Sequence, residues 1–575
     1  MEFSGLNTLW VLLGAVLVFF MQAGFVMVET GFTRAKNAGN IIMKNFIDYA
    51  LGAPLYWLFG FGIMFGGGGA LFGGFDFMAS GDYSAVLPSG VPLPAFLIFQ
   101  TVFCGTAATI VSGAMAERTK FEAYCLYSIA IALFIYPVSG HWIWGGGWLS
   151  GLGFHDFAGS TAVHLVGGAA AFVGAKILGP RMGKYNEDGS PNAIPGHSLT
   201  LGALGVFILW VGWFGFNGAS TVSMEGDSIV AAGNIFVTTN LAAAVSTLTT
   251  MLFTWVRYKK ADVSMTLNGA LAGLVAITAG CDAVSPAGAA LIGMAAGVVL
   301  VLGIEFIDRV LKVDDPVGAI GVHGVCGALG TALTGLFSLE GGLFYGHGPA
   351  LLGVQILGVL AVTLWVAAIM TLVFLLIKAT VGLRVSAETE FRGLDLVEHG
   401  LASSYADFMP VSAGGAVWAN HAAEAATPQE ILHRGQAKAF SLDEDKSDAV
   451  FTRVSILFNP VRLDAMKKAM SAIGITGMTV KNVLGCGMQR GTPQTDYYRG
   501  AKLETMDLLP KLQMDIIVTA VPVERVIETA QRVLHTGRIG DGKIFVSNVQ
   551  NVVKISTGER GYAALQDLVE PAEKA

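Results

Sequence analysis

Apolar residues gather into long runs over the first two thirds of the chain and fall into short alternating patterns only near its C-terminal end. The runs begin near Leu9, Ile42, Pro94, Tyr124, Ser160, Leu199, Ile229, Met265, Ala287, Gly318 and Leu351. Each is long enough to cross about 30 Å of hydrocarbon as a helix. The pattern therefore predicts a polytopic α-helical membrane unit of eleven transmembrane helices. No basic residue precedes the first run in Met1-Glu-Phe-Ser4, which predicts a retained helix rather than a cleaved signal peptide. Glycines at small-xxx-small spacing, such as Gly202, Gly205, Gly293 and Gly297, predict close helix packing.

Beyond the last run the period shortens. Strands are predicted over Thr452 to Phe458, Met478 to Gly485, Leu512 to Thr519 and Ile544 to Ile555, and helices over Val461 to Ile473 and Val523 to Leu534. The order β-α-β-β-α-β predicts a soluble ferredoxin-like α+β domain. From Ala406 to Ala449 the chain is rich in Ala, Gly, Ser and mixed charge, and reads as a linker with a short helix near Pro428 to Leu432. As a flexible coil it would span about 35–40 Å. The expected organisation is thus 1–405 in the membrane, 406–449 as linker and 450–575 in water.

Charge orients the membrane unit. Arg34, Lys36 and Lys44 follow the first run, Arg118 and Lys120 the third, Lys176, Arg181 and Lys184 the fifth, and Arg257, Lys259 and Lys260 the seventh. Arg309 and Lys312 follow the ninth, and Lys378 and Arg384 the eleventh. The opposite loops carry no Lys or Arg, so the N-terminus is expected outside and the tail in the cytoplasm. A composition of 53% hydrophobic and 13% charged residues agrees with residence in lipid. With a net charge of -7 and no basic stripe, nucleic acid is excluded as a partner. Cys104, Cys125, Cys281, Cys326 and Cys486 stand singly, which indicates neither a disulfide frame nor a zinc site.

Ten runs before the last divide into two sets of five, and an odd number per set inverts the second set relative to the first. His164 falls in the fifth run and His323 in the tenth, equivalent places in the two halves. Ionisable groups in such runs are costly and mark function. Their placement on inverted repeats points to a site near the midplane. Asp156, eight residues before His164, reads as a buried support that orients backbone groups. An intramembrane enzyme is disfavoured, because no Cys, Glu or second carboxylate is read at a comparable position.

The motifs Met21-Gln-Ala-Gly24, Arg34-Ala-Lys-Asn37, Ala116-Glu-Arg118, Trp144-Gly-Gly-Gly147, Asp156-Phe-Ala-Gly159, Gly212-Trp-Phe-Gly-Phe-Asn217, Val313-Asp-Asp-Pro316 and Gly321-Val-His-Gly324 occur in order. As a set, this half of the chain resembles the ammonium transporter family. The resemblance implies a homotrimer in the inner (plasma) membrane, with lipid around it and one narrow pore for ammonium or ammonia in each subunit. It places Trp144 and Ser220 at the outer recruitment site, Phe103 and Phe216 as a stacked pair closing the vestibule, and Trp213 beside them. His164 and His323 become twin pore histidines that share a proton. Dehydrating NH4+ is expensive, so the preferred route is loss of the proton near the vestibule, passage of NH3 and a separate proton path through the histidines. Passive NH3 conduction uses the same residues and stays open. Gly393-Leu-Asp-Leu-Val-Glu-His-Gly400 resembles the family's cytoplasmic tail, which lies across the neighbouring subunit.

Downstream, Gly485-Cys-Gly-Met-Gln489, Tyr498-Arg-Gly-Ala501, Leu509-Pro-Lys511, Thr536-Gly-Arg-Ile-Gly-Asp-Gly-Lys-Ile-Phe545 and Thr557-Gly-Glu-Arg560 resemble PII signal-transduction proteins. That resemblance implies no prosthetic group but regulatory binding of ATP or ADP, Mg2+ and 2-oxoglutarate. The implied nucleotide residues are Thr479, Gly487, Gln489, Lys511, Gly540, Asp541, Gly542, Lys543 and Lys554, with Gln489 on Mg2+ and Lys511 near 2-oxoglutarate. A glycine turn lets backbone approach phosphate while Lys543 supplies charge. Lys554 and Ser556 depart from the family's two arginines, which leaves the preference between ATP and ADP open. No Walker motif is present, which argues against an ATP-consuming enzyme. The loop from Met488 to Asp507 carries Tyr498 and Arg499, and Arg499 resembles the residue that plugs an ammonium channel from the cytoplasm. Fusion would raise the local concentration of such a plug to about the mM range. Two readings follow: a transporter with its own PII domain as intramolecular regulator, or an ammonium sensor in which flux is incidental.

Leu503 stands where many PII proteins carry the uridylylated tyrosine. Incubation with a uridylyltransferase and labelled UTP is expected to leave this chain unlabelled, and label recovered on the Met488 to Asp507 loop would refute the assignment.

Overall fold

The computed structural model describes residues 2–401, 404–405, 451–459, 462–475, 477–485, 509–519, 521–535, 537, 541–555 and 558–565. The predicted linker, with its short helix near Pro428, lies outside these residues, as do Cys486, Gly487, Gln489, Tyr498, Arg499, Leu503, Gly540 and Ser556. The chain separates into two compact units, Met1–Val411 and Ser412–Ala575.

Among the described residues of the first unit, ten helices are long and apolar enough to cross a membrane. They are Gly5–Phe32, Ala35–Phe65, Leu93–Met115, Phe121–Gly151, Ser160–Leu178, Leu199–Thr221, Ser228–Tyr258, Pro286–Arg309, Ile320–Phe337 and Ala350–Thr380. The run expected near Met265 differs. Its helix, Val263–Ile277, has 15 residues, about 22 Å at 1.5 Å per residue and short of the hydrocarbon thickness. The reason lies at its C-terminal end. The carbonyls of Val275, Thr278 and Ala279 accept from Ser160 Oγ, the Ala158 amide and the Phe157 amide, at 2.7, 3.1 and 3.0 Å. Backbone that would have extended the helix instead holds the loop carrying Asp156.

Several helices contain π-helical turns, including Ser160–Leu165, Phe214–Gly218 and Ile320–Val325. Such turns widen the helix and leave carbonyls without helical partners, and they recur at functional sites. His164, Phe216 and His323 all lie on them. The two histidine-bearing helices cross where Gly168 meets the backbone of Gly324. A side chain at Gly168 would collide with that backbone, so the glycine permits the approach that brings the histidines together.

The loops next to the basic residues form a buried ion network that the charge pattern did not predict. Arg181 donates from Nε and Nη2 to Asp314, at 2.8 and 2.9 Å, and its Nη1 lies 3.4 Å from Glu117. Glu117 accepts from the amide and Nε of Arg34, each at 2.6 Å. Arg118 donates to the carbonyls of Ala116, Gly179 and Asp314. Burial raises the acidity threshold of Asp314, but hydrogen bonds from Arg181 and the charges of Arg118 and Arg181 outweigh it and hold the carboxyl below its usual range. The tail docks within its own chain: Asp395 accepts from the amides of Gly39 and Asn40 at 2.9 and 2.7 Å, and Glu398 from that of Phe121 at 3.0 Å.

The second unit contains β1 (Phe451–Phe458), β2 (Thr479–Gly485), β3 (Leu509–Val518) and β4 (Gly542–Val549) in one antiparallel sheet of order β2-β3-β1-β4. Helices Leu463–Ala472 and Val523–Leu534 complete the β-α-β-β-α-β order of a ferredoxin-like fold. Val454, Ile456, Phe458, Leu512, Met514, Ile516 and Val518 face these helices and form the core with Met466, Met470, Val526 and Ala530. The last strand is shorter than expected. The chain turns after Val549, where Asn551 Oδ1 accepts from the amides of Val552 and Gly561 and Val553 bridges to Arg560. Lys554 therefore sits in a turn closed by the Gly558 amide donating to its carbonyl at 2.8 Å.

Asp314→Asn removes the bidentate acceptor of a buried arginine, and breaking such a pair costs about 3–5 kcal/mol. Its thermal unfolding midpoint in detergent is expected several degrees below wild type, and an unchanged midpoint would refute the role. Because the folded carboxyl is depressed, its contribution is full above the unfolded value and is lost as pH falls. Wild-type stability should therefore be flat near neutrality and decline below about pH 4.

Candidate functional site

Two helix starts build the centre of the first unit. Gly159 adopts φ 119° and Gly318 φ 82°, conformations open to glycine. Each glycine lets the chain turn into a helix whose first amides have no carbonyl partner. Asp156 takes four of them: Oδ1 accepts from Gly159 and Ser160 at 3.0 and 2.9 Å, and Oδ2 from Thr161 and Ala162 at 2.8 Å each. Asp315 does the same in the other half, accepting from Gly318, Ala319 and Ile320 at 3.0, 3.1 and 2.7 Å.

Asp315 corrects the sequence reading, which found no second carboxylate in a comparable position. The signal was present in Asp156-x-x-Gly159-x-x-x-Val163-His164 and Asp315-x-x-Gly318-x-x-x-Val322-His323, identical spacings that a search for inverted repeats would have caught. With both oxygens committed to amides, Asp156 acts as a helix cap. Burial raises the pKa of each carboxyl, and the backbone donors oppose that rise.

The capped turns present the histidines to each other. His164 Nδ1 lies 3.2 Å from His323 Nδ1, with ring centres 5.2 Å apart. One of the two nitrogens must carry a proton for this contact to be a hydrogen bond, so the pair shares one proton. Among the described residues His164 Nε2 is buried without a hydrogen-bond partner. Trp213 stacks on His164 at 5.0 Å and anchors its indole by donating to Thr278 Oγ1 at 2.9 Å. Phe216 stacks on the same imidazole at 5.3 Å.

The row continues away from the histidines. Phe103 and Phe216 lie 4.2 Å apart, and Trp144 meets Phe103 edge-on at 6.2 Å. Trp144 is half-buried, and its Nε1 donates to the Asp156 carbonyl at 2.7 Å, which ties the outer aromatic to the capped loop. Ser220, also half-buried, donates to the Phe216 carbonyl at 2.7 Å, so its oxygen lone pairs stay available. The structure thus brings Trp144, Phe103, Phe216, Trp213, His164 and His323 into one connected row with Asp156 behind it. Ser220 attaches to the row through Phe216.

In the second unit, paired residues share a sheet face. Lys543 is level with Leu457, Gln513 and Lys481, while Lys511 is opposite Val483 and Thr479 opposite Asp515. All lie on the face away from the two helices. Lys511 and Asp541 interact electrostatically at the end where β1 stops. Partial burial lowers the Lys511 pKa and the Asp541 charge opposes the shift. Gly542, φ 128°, packs against the Leu457 carbonyl where a side chain has no room. Thr479 lies two register positions from Lys543, and Lys554 is in the turn after β4.

Comparison with known proteins assigns both units. The family model "Ammonium Transporter Family" matches residues 9–404, and "Nitrogen regulatory protein P-II" matches residues 451–559. Ammonium transporter Amt2 of Archaeoglobus fulgidus is 43% identical over 426 residues, covering 70% of this chain and 88% of the relative. A putative ammonium transporter of Synechocystis, sll1017, is 44% identical over 401 residues, covering 69% and 88%. A solved structure described as "Sensor Amt Protein" matches with a TM-score of 0.65 at 40% identity, over 68% of this chain and 98% of that one. Candida albicans Mep2 matches with a TM-score of 0.64 at 28% identity, over 72% and 94%.

Asp315→Ala would leave three amides without their acceptor, at about 1–3 kcal/mol for each buried group. Ammonium uptake in transport-deficient cells is expected to fall at least about tenfold, with Asp315→Asn intermediate because one oxygen remains. Wild-type uptake and an unchanged unfolding midpoint in Asp315→Ala would refute the capping role.

Proposed function

The chain belongs to the ammonium transporter family and carries a nitrogen regulatory P-II domain, and from that premise we propose that it conducts ammonium through the His164–His323 row under control of the P-II domain. The observation that carries this reading is the 3.2 Å contact between the two Nδ1 atoms, set among stacked aromatic rings. A cation is drawn to the indole of Trp144, a contact worth about 1–2 kcal/mol when partly desolvated. Ser220 accepts a hydrogen bond from ammonium that a bare alkali cation cannot donate. At the Phe103–Phe216 pair the low dielectric disfavours the charged species. NH4+ gives up its proton there, NH3 passes, and the histidine pair carries the proton separately.

The P-II domain supplies control. ATP or ADP binds against Lys511, Asp541, Gly542 and Lys543, with Thr479 and Lys554 contributing, and with Gly487, Gln489 and Gly540 completing the site. Lys543 and Lys511 share the helix-free face that such a ligand would occupy. Mg2+ sits on Gln489, and 2-oxoglutarate near Lys511. Arg499 on its loop, flanked by Tyr498, blocks the pore exit, and ligand binding withdraws it. The assembly is a homotrimer in the plasma membrane, with the N-terminus outside and the P-II domain cytoplasmic. The domain boundaries proposed are 1–405, 406–449 and 450–575.

A second reading is that the chain senses ammonium and reports it through the P-II domain. The likeness to a solved structure described as a sensor favours it. Current on solid-supported proteoliposomes distinguishes the two. The full chain is expected to give an ammonium-elicited current that ATP, ADP or ATP with 2-oxoglutarate changes, and a chain truncated after Ala449 a current that none of them changes. An absent current overturns electrogenic conduction, and identical ligand responses overturn self-regulation and leave the sensor reading.

A further inference from the structure

Conduction through the histidine row does not use every buried carboxylate of the first unit. Glu29 lies on the helix Gly5–Phe32 and is 3% exposed. A carboxylate inside a membrane helix is costly and marks function. Its Oε2 accepts from Ser112 Oγ at 2.7 Å and from Asn45 Nδ2 at 3.0 Å. Among the described residues no hydrogen bond reaches Oε1.

The space beside Glu29 gives that oxygen a purpose. A cavity of about 20 Å3 is lined by Phe25, Glu29, Asn268, Leu271, Val317 and His323, among others. It has room for about one water-sized molecule. Phe25 packs on His323 at 5.9 Å, whereas Phe216 packs on His164. The cavity touches His323 and Phe25 but neither His164 nor Phe216, so it lies on the side of the pair away from the vestibule. The order along the row is therefore Trp144, Phe103 with Phe216, His164, His323, cavity, Glu29. Asp48 and Lys44 are the other charged groups whose fields reach Glu29. Asp48 Oδ2 accepts from Thr109 at 2.7 Å while its Oδ1 has no hydrogen-bond partner among the described residues, and Lys44 Nζ donates to the Thr119 carbonyl at 2.9 Å. Neither lines the cavity.

We propose that Glu29 is the proton acceptor on the far side of the histidine pair, taking the proton that His323 releases and returning it to ammonia as it leaves. The proposal rests on the conduction reading above. An N–H bond of the protonated His323 breaks, and an O–H bond forms at Glu29 Oε1 by relay through one water, for which the cavity has room. That O–H bond then breaks as NH3 takes the proton; NH4+ departs and the carboxylate is restored. Ser112 and Asn45 hold Oε2, so the carboxyl can load and unload on Oε1 without swinging away.

The test is ammonium-elicited current from the full chain in proteoliposomes, with assembly checked by size-exclusion chromatography. Glu29→Gln keeps the shape and removes the proton acceptor, and is expected to cut the current at least about tenfold, the lower range for a lost acid–base group. Glu29→Asp should restore a large part of it, which a purely structural role for the longer side chain would not allow. Ser112→Ala frees Oε2 and is expected to lower the current about threefold, and it decides the matter should Glu29→Gln fail to assemble. Assembled Glu29→Gln, or failing that assembled Ser112→Ala, with wild-type current overturns the role of Glu29 while conduction through the histidines stands. Wild type without current overturns the conduction reading itself.

Discussion

Four amides at the start of the helix Ser160–Leu178 point into apolar surroundings with no carbonyl to receive them, and the Asp156 carboxylate takes all four. In a membrane protein this is the constraint on which the rest depends, because water is not present to repair an unsatisfied helix end. Once the cap is made, the π-helical turn behind it is held, and the turn aims His164 at His323. The Asp156 carbonyl also fixes the Trp144 indole. One acidic residue thus sets both the outer aromatic and the inner imidazole.

The same device appears a second time with Asp315, so the centre is built from two opposed helix starts rather than from one elaborated helix. The cost of these starts is borne by neighbours. Val263–Ile277 ends early and turns its last carbonyls to the Asp156 loop. Gly168 lies against the backbone of Gly324, which allows the two helices to approach. Below, Arg181, Asp314, Glu117 and Arg34 bind the loops into a charged layer, and the tail adds Asp395 as a further acceptor of helix-start amides.

The second unit rests on different physics. Its sheet buries one face under two helices by strict alternation, which commits Lys511, Lys543 and Thr479 to the other. Charge placed there is kept out of the core. The unit's polar residues are cheap to position because water covers them, whereas those of the membrane unit had to be satisfied one by one.

Residue order by itself determined the division into a lipid unit and a ferredoxin-like unit, because hydrophobic periodicity is a local property that survives without tertiary contacts. Val523–Leu534 was legible to the residue, since its amphipathic face has no competitor. His164, His323 and Asp156 were legible because ionisable groups in apolar runs are conspicuous. Asp315 is written in the same spacing, but beside Asp314 and among other loop charges an acid is not conspicuous. Only tertiary structure decided the rest. The early end of Val263–Ile277 depends on acceptors wanted by a loop more than 100 residues away in sequence. The place of Glu29 beside His323 depends on how the first helix packs against the ninth long one, Ile320–Phe337, and contact across that separation leaves no periodic mark in the chain.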